Sequence, residues 1–143
     1  MPSHHETILV PYSAAQMFAL VTDVEKYPEF LPWCAAARVL CGDEAEKLAE
    51  LVISFQHLRE RYTSRIITNY PNEIKVSLVE GPFDKLDNHW RFIDQPNGCA
   101  VEFFLDFKFR SFLLEKMIGG IFKKAVEKMT SAFLTRAEEL YGK

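Results

Sequence analysis

Between Ala35 and Arg110 apolar side chains recur at every second position. Tyr62, Ser64, Ile66 and Thr68 alternate with Arg61, Thr63, Arg65 and Ile67, and Ile74, Val76 and Leu78 alternate with Lys75 and Ser77. Leu51, Ile53 and Phe55 keep the same period, as do Leu86, Trp90 and Phe92 against Asp87, His89 and Arg91. The pattern is sharpest where Val101, Phe103, Leu105, Phe107 and Phe109 face Glu102, Phe104, Asp106, Lys108 and Arg110. Successive side chains of a strand point to opposite sides, so these runs predict strands with one apolar and one polar face. Turn-forming clusters separate them: Cys41-Gly42-Asp43-Glu44, Asn69-Tyr70-Pro71-Asn72, Gly81-Pro82 and Asp94-Gln95-Pro96-Asn97-Gly98. Short runs joined by such turns read as an antiparallel meander.

The flanks change period. Glu6 to Val10 predicts a short first strand, stopped by Pro11. Ser13 then caps a helix, with Gln16 completing a capping box and Met17, Leu20, Val21 and Val24 at helical spacing. That helix ends near Tyr27-Pro28, with a further helical turn before Pro32. From about Phe112 to Tyr141 one long helix is predicted. Its apolar stripe runs through Leu114, Met117, Ile118, Ile121, Phe122, Ala125, Met129, Ala132 and Phe133. Glu115, Lys116, Lys123, Lys124, Glu127, Lys128, Glu138 and Glu139 take the other side. Such a helix spans about 45 Å, enough to cross a whole sheet. Gly119-Gly120 interrupts it at a cost of about 1 kcal/mol per glycine, which predicts a bend or a close approach there.

The expected fold is therefore α+β: an antiparallel six- to seven-stranded sheet wrapped around a long C-terminal helix. Residues 1–143 read as one domain without repeats, linkers or low-complexity stretches.

Composition narrows the function. A chain with 48% hydrophobic and 26% charged residues folds rather than staying disordered. Its net charge of −3 offers no general basic surface, so no DNA partner is expected. No apolar run approaches the roughly 20 residues of a membrane span, and Met1-Pro2-Ser3-His4-His5 is too polar for a targeting segment. Cys34, Cys41 and Cys99 form no Cys-x-x-Cys pair and are odd in number, as in a reduced, cytosolic protein. The histidines show no ligand spacing with them, so no metal site is expected. His57 and Arg59 share one strand face while Glu60 takes the other, and they do not converge as an acid–base group. With no Ser-His-Asp grouping, phosphate loop or carboxylate pair, no catalytic residue is assigned and no enzyme is expected.

One segment stands apart. Tyr27-Pro28-Glu29-Phe30-Leu31-Pro32-Trp33-Cys34 sets four large apolar side chains between and beside two prolines. Proline fixes φ and removes a donor, so this is a stiff loop, of the kind that closes over a core, a ligand or a membrane. Together with Gly81-Pro82-Phe83-Asp84-Lys85-Leu86-Asp87-Asn88-His89-Trp90-Arg91-Phe92 and the Phe-rich last strand before a long helix, it resembles the coenzyme Q-binding START-like family. The resemblance covers nearly the whole chain. It implies a helix-grip fold of the lipid-transfer and polyketide cyclase superfamily, and a role in binding ubiquinone for respiration. Bacterial members are also described as ribosome-association toxins of toxin–antitoxin pairs, so a ribosomal subunit is the alternative partner.

A quinone implied by this resemblance needs a flat slot, one or two donors for its carbonyls, and an apolar channel for its tail. Phe103, Leu105, Phe107, Ile118, Ile121, Phe122, Met129 and Phe133 are the candidates for the channel, or else fill a packed core. Phe30, Leu31, Trp33 and Phe83 are candidates for its mouth, or else staple the loops to the sheet. Trp90 and Phe92 share a strand face and stack on a ring or on each other, with the Trp90 indole as a donor. Tyr62, Ser64, Asn88 and Arg65 are the polar groups available to orient a ring. Lys116, Lys123, Lys124 and Lys128 line the exposed side of the last helix, where Glu115 and Glu127 dilute them: they read as an ordinary solvated helix face, or else as a contact with anionic lipid. The expected protein is a cytoplasmic carrier of ubiquinone or another hydrophobic molecule, meeting the inner membrane transiently, with no cofactor besides that ligand.

Overall fold

A computed structural model describes residues 3–55 and 58–142 of the chain, and the side chains of Phe55 and Leu58 are outside what is described. His57 lies outside the described residues. The elements are β1 (Ser3–Val10), α1 (Ala14–Thr22), a 3₁₀ turn (Val24–Glu29), β2 (Cys34–Gly42), β3 (Glu46–Phe55), β4 (Leu58–Asn69) and β5 (Glu73–Glu80). There follow β6 (Phe83–Gln95), β7 (Gly98–Phe109), α2 (Phe112–Gly119) and α3 (Phe122–Tyr141).

The strands form one seven-stranded antiparallel sheet in the order β1-β7-β6-β5-β4-β3-β2. Six of them, β2 to β7, are the meander that the alternation predicts. The seventh, β1, starts at Ser3 rather than Glu6, because Ser3 already pairs with Asp106 of the long β7. Register shifts at Cys34/Ala36, Val39/Cys41, Thr63/Ser64 and Phe83/Lys85 bend the strands where the sheet must curl. At Gly98 φ is 152°, and a Cβ would fall 1.9 Å from the Val10 carbonyl oxygen, so this crossing accepts glycine alone.

On the concave face, α1 begins with the predicted capping box: Gln16 N donates to Ser13 Oγ (3.1 Å) and Ser13 N to Gln16 Oε1 (2.9 Å). Its buried Met17, Phe18, Leu20 and Val21 fill one end of the sheet's hollow. The end of α3 is fastened to this filled half. Tyr12 donates to the Gly142 carbonyl (2.7 Å) and Tyr141 to the Gln16 carbonyl (2.9 Å). Arg136 reaches Glu29 of the 3₁₀ turn at 2.7 Å.

The single long helix expected from the sequence is two helices. α2 closes at Gly119, and Ile121, at φ −123° and ψ 2°, leaves helical geometry before α3 resumes. Nothing lies within 4 Å of a Cβ built on Gly119, so the pair produces the bend and not the close approach. The stripe splits accordingly. In α3 the buried residues are Phe122, Val126, Thr130, Phe133 and Ala137, while Ala125, Met129 and Ala132 are half-buried. In α2 no residue is fully buried, and Met117, expected inside, is 42% exposed.

Candidate functional site

The other half of the hollow is not filled. Where α1 stops, the sheet, the Pro-rich loop, α2 and the start of α3 enclose a cavity of about 250 Å³. Its sheet side is the inward-facing set of the alternation, from Leu51 and Ile53 on β3 through Tyr62 and Val76 to β6 and β7. β6 contributes Phe83, Leu86, Asn88 and Trp90, and β7 contributes Phe103, Leu105, Phe107 and Phe109. The helices close it with Ile118, Ile121, Ala125, Met129 and Phe133, and the loop with Tyr27, Leu31 and Trp33.

Eleven of the residues proposed from the sequence for the mouth, ring slot and channel lie in this wall: Leu31, Trp33, Phe83, Trp90, Phe103, Leu105, Phe107, Ile118, Ile121, Met129 and Phe133. Three do not line it. Phe92 is fully buried further along β6, where its ring meets Phe18 of α1 at 6.3 Å, beyond the end of the cavity. Phe122 is buried in the core and rests on Phe107 at 5.2 Å, outside the cavity wall. Phe30 is the staple of the alternative reading: its ring packs edge-on against Tyr27 and Phe133, with the Arg136 guanidinium 5.1 Å above it. Tyr27, Leu51, Ile53, Val76, Leu86, Phe109 and Ala125 were not singled out from the sequence. All but Tyr27 and Ala125 are in phase with strand residues that were, so alternation carried the signal.

Aromatic rings hold the wall rigid. Trp90 sits 4.7 Å from Phe103 and 5.1 Å from Phe133, linking sheet to helix. Phe83 stacks on Phe109 at 4.9 Å and meets Tyr62 edge-on at 5.4 Å. Trp33 takes a left-handed backbone conformation, φ 64°, uncommon for a bulky residue. Its carbonyl accepts from Ser54 N at 2.8 Å, which pins the loop to β3.

The polar groups of the wall are few. The Trp90 indole donates to Asn88 Oδ1 (3.0 Å), and Asn88 Nδ2 donates to the Phe104 carbonyl (2.8 Å), so both are occupied internally. Tyr27 donates its hydroxyl proton to the Val21 carbonyl. The Tyr62 hydroxyl has no hydrogen-bond partner among the described residues. Burial, and secondarily the nearby Cys34, pushes its phenol above the ordinary value, so it remains a neutral donor. Of the other two polar candidates, Ser64 is buried on the same strand face outside the cavity wall. Arg65 points outward to Glu46 at 2.6 Å.

No acid–base constellation faces the cavity among the described residues. His89 pairs with Glu73 at 2.9 Å on the sheet's outer side, and Arg59 is exposed. No group of three metal-binding side chains occurs among the described residues. Cys34, Cys41 and Cys99 are free thiols, and burial with the nearby Asp94 raises Cys99 to about 11. No helix among the described residues is long and apolar enough to cross a membrane.

Known proteins match this arrangement. The chain is 41% identical to the ribosome association toxin RatA of Rickettsia prowazekii, over 98% of this chain and 99% of that protein. It is 30% identical to the mitochondrial coenzyme Q-binding protein COQ10 homolog B of Xenopus laevis, over 98% of this chain and 59% of that one. A solved START superfamily protein from Mycobacterium smegmatis superposes with a TM-score of 0.81 over 96% of this chain and 98% of its own, at 19% identity. At that identity the likeness speaks for the fold alone, and the fold is the expected helix-grip. The model of the family described as polyketide cyclase / dehydrase and lipid transport matches residues 10–134. With its antiparallel sheet, helical grip and apolar hollow, the chain belongs to that START-like family.

Proposed function

We propose that the chain is a non-enzymatic binding protein for a neutral lipid with a flat, acceptor-bearing head, ubiquinone or a related isoprenoid quinone. The observation that carries this reading is a cavity of about 250 Å³ with apolar and aromatic walls and a donor, Tyr62, that has no partner among the described residues. An uncharged, mostly apolar wall favours a neutral guest, since burying a charge there is strongly unfavourable. Tyr62 donates to one carbonyl oxygen of the ring. Trp33, Trp90 and Phe103 supply flat surfaces for stacking. The volume is just under the ~300–1,000 Å³ of drug-sized sites, which suits the ring head rather than a whole polyisoprenoid. The tail therefore leaves beside α2, the helix of the wall with no fully buried residue. Each methylene it keeps out of water adds about 0.8 kcal/mol, so affinity grows with the buried part of the tail. The name of the Xenopus relative is in keeping with this guest. The cellular role that follows is carriage of the quinone between the cytoplasm and a respiratory membrane.

The chain's two tryptophans both line the cavity, so a bound quinone must quench its intrinsic fluorescence. Titration with a short-tailed ubiquinone is expected to give saturable quenching, and no quenching up to the solubility of the quinone overturns the reading.

A second reading is supported by the 41% identity to a ribosome association toxin: binding to a ribosomal subunit and blocking subunit joining. It predicts co-sedimentation with subunits and a loss of joined ribosomes on sucrose gradients, and neither requires a filled cavity.

A further inference from the structure

The helix beside the cavity presents apolar side chains in two directions. Leu114 and Ile118 of α2, one turn apart, pack toward the core, and Ile118 reaches the cavity. Phe112, Leu113 and Met117 point away from it, 81%, 73% and 42% exposed. Residues three and four apart share a helix face, which groups Leu113, Lys116 and Met117, with Phe112 one turn before Lys116. A short helix with apolar side chains in water on its outer face costs free energy unless that face meets another apolar phase.

The charge around it indicates which phase. Residues 108–124 carry five basic side chains, Lys108, Arg110, Lys116, Lys123 and Lys124, against Glu115 alone. That is +4 in a chain of −3, so the rest of the molecule carries −7. Glu115 is folded back, accepting from Phe109 N at 2.8 Å, and Asp84 lies 3.7 Å from Arg110. Lys116, Lys123 and Lys124 have no ion-pair partner among the described residues and are exposed. Exposed apolar side chains flanked along the chain by basic residues, on an otherwise acidic protein, fit the interface of an anionic bilayer, where apolar groups enter the acyl boundary and lysines stay at the headgroups.

We propose that α2 and the flanking basic residues dock the protein on an anionic phospholipid surface, turning the tail exit of the cavity toward the membrane. This rests on the lipid-binding reading above, because a cargo dissolved in a bilayer is what gives the docking its purpose. The segment is also the one set off by Gly119-Gly120, so it can adjust to the surface without disturbing the anchored end of α3.

The test is flotation of the full chain with quinone-free vesicles of phosphatidylcholine alone or mixed with phosphatidylglycerol, beside the short-tail quinone titration. Wild type is expected to float with the mixed vesicles, to float less at high salt, and to ignore the neutral ones. The Phe112→Ser, Leu113→Ser pair and the Lys116→Glu, Lys123→Glu pair are each expected to weaken flotation about tenfold or more while leaving quinone quenching unchanged. These positions are exposed, and an unchanged melting temperature excludes misfolding. Equal flotation of the variants overturns the proposal, as does a wild-type dimer that the serine pair dissolves, or subunit binding without vesicle binding. Flotation that depends on α2 in a protein that never binds quinone would instead defeat the lipid-carrier reading and leave the docking face standing.

Discussion

Tyr62 and Trp90 show how two residues on one face acquire different roles. The indole is satisfied within the wall by Asn88, which orients the ring and removes it as a ligand donor. The phenol is not: half-buried in the cavity wall with no partner among the described residues, it gains a hydrogen bond when a guest supplies the acceptor. Tyr62→Phe should therefore weaken quinone binding by about 1 kcal/mol, roughly fivefold, while the melting temperature stays level or rises. A fall in stability with unchanged affinity in the titration would show that the hydroxyl serves the fold instead. Phe133 lines the cavity and also carries packing. It touches Trp90, Phe30 and Tyr27, and Phe133→Ala should cost about 3–5 kcal/mol in chemical denaturation. The thiols separate by environment. Cys99 is raised to about 11, so it holds its proton well above the ordinary 9.0, and its contribution to stability is complete below 9.0 and lost as pH rises through 11. Below pH 9.0, iodoacetamide should label exposed Cys41 in the native protein and Cys99 only after unfolding. Early labelling of Cys99 would contradict its burial.

At the level of elements, period told more than position. The two-residue alternation identifies inward residues of the strands β3 to β7, and nearly all sheet residues of the cavity are in that phase. What alternation lacks is the coordinate along the strand. Phe92 and Trp90 are in phase, yet α1 covers the first and leaves the second facing the cavity, a difference made by tertiary packing. Phe30 illustrates the same limit, since its partner Arg136 is 106 residues away in sequence. The C-terminal helix was legible as a stripe, but its division was written only as two glycines, and whether they bend or approach depends on what lies beside them. The bend makes a prediction. Gly119→Ala with Gly120→Ala meets no steric obstacle and favours helix by up to about 1 kcal/mol per site. Joining α2 to α3 should slow quinone exchange between vesicles several-fold without weakening equilibrium binding. Exchange at the wild-type rate would remove any role for the bend.

Across the whole molecule, one half of the concave sheet is a solid core and the other a vessel. α1, the 3₁₀ turn and the end of α3 interlock through Tyr12, Tyr141 and Arg136, which fixes one end of the grip. The opposite end has the cavity's side-chain walls and α2, none of whose residues is fully buried, and it is there that the proposed guest would enter. The basic residues gather at that open end, against the acidic balance of the rest. The most direct test of this division of labour is organic extraction of natively expressed protein followed by mass spectrometry, on wild type and on Ala125→Phe, whose added ring occupies the cavity. Near-stoichiometric ubiquinone or a related isoprenoid lipid in the wild type, and its loss in a folded Ala125→Phe protein, is the predicted result. An empty wild type that stays empty after incubation with quinone vesicles, or the same lipid in both proteins, would contradict it.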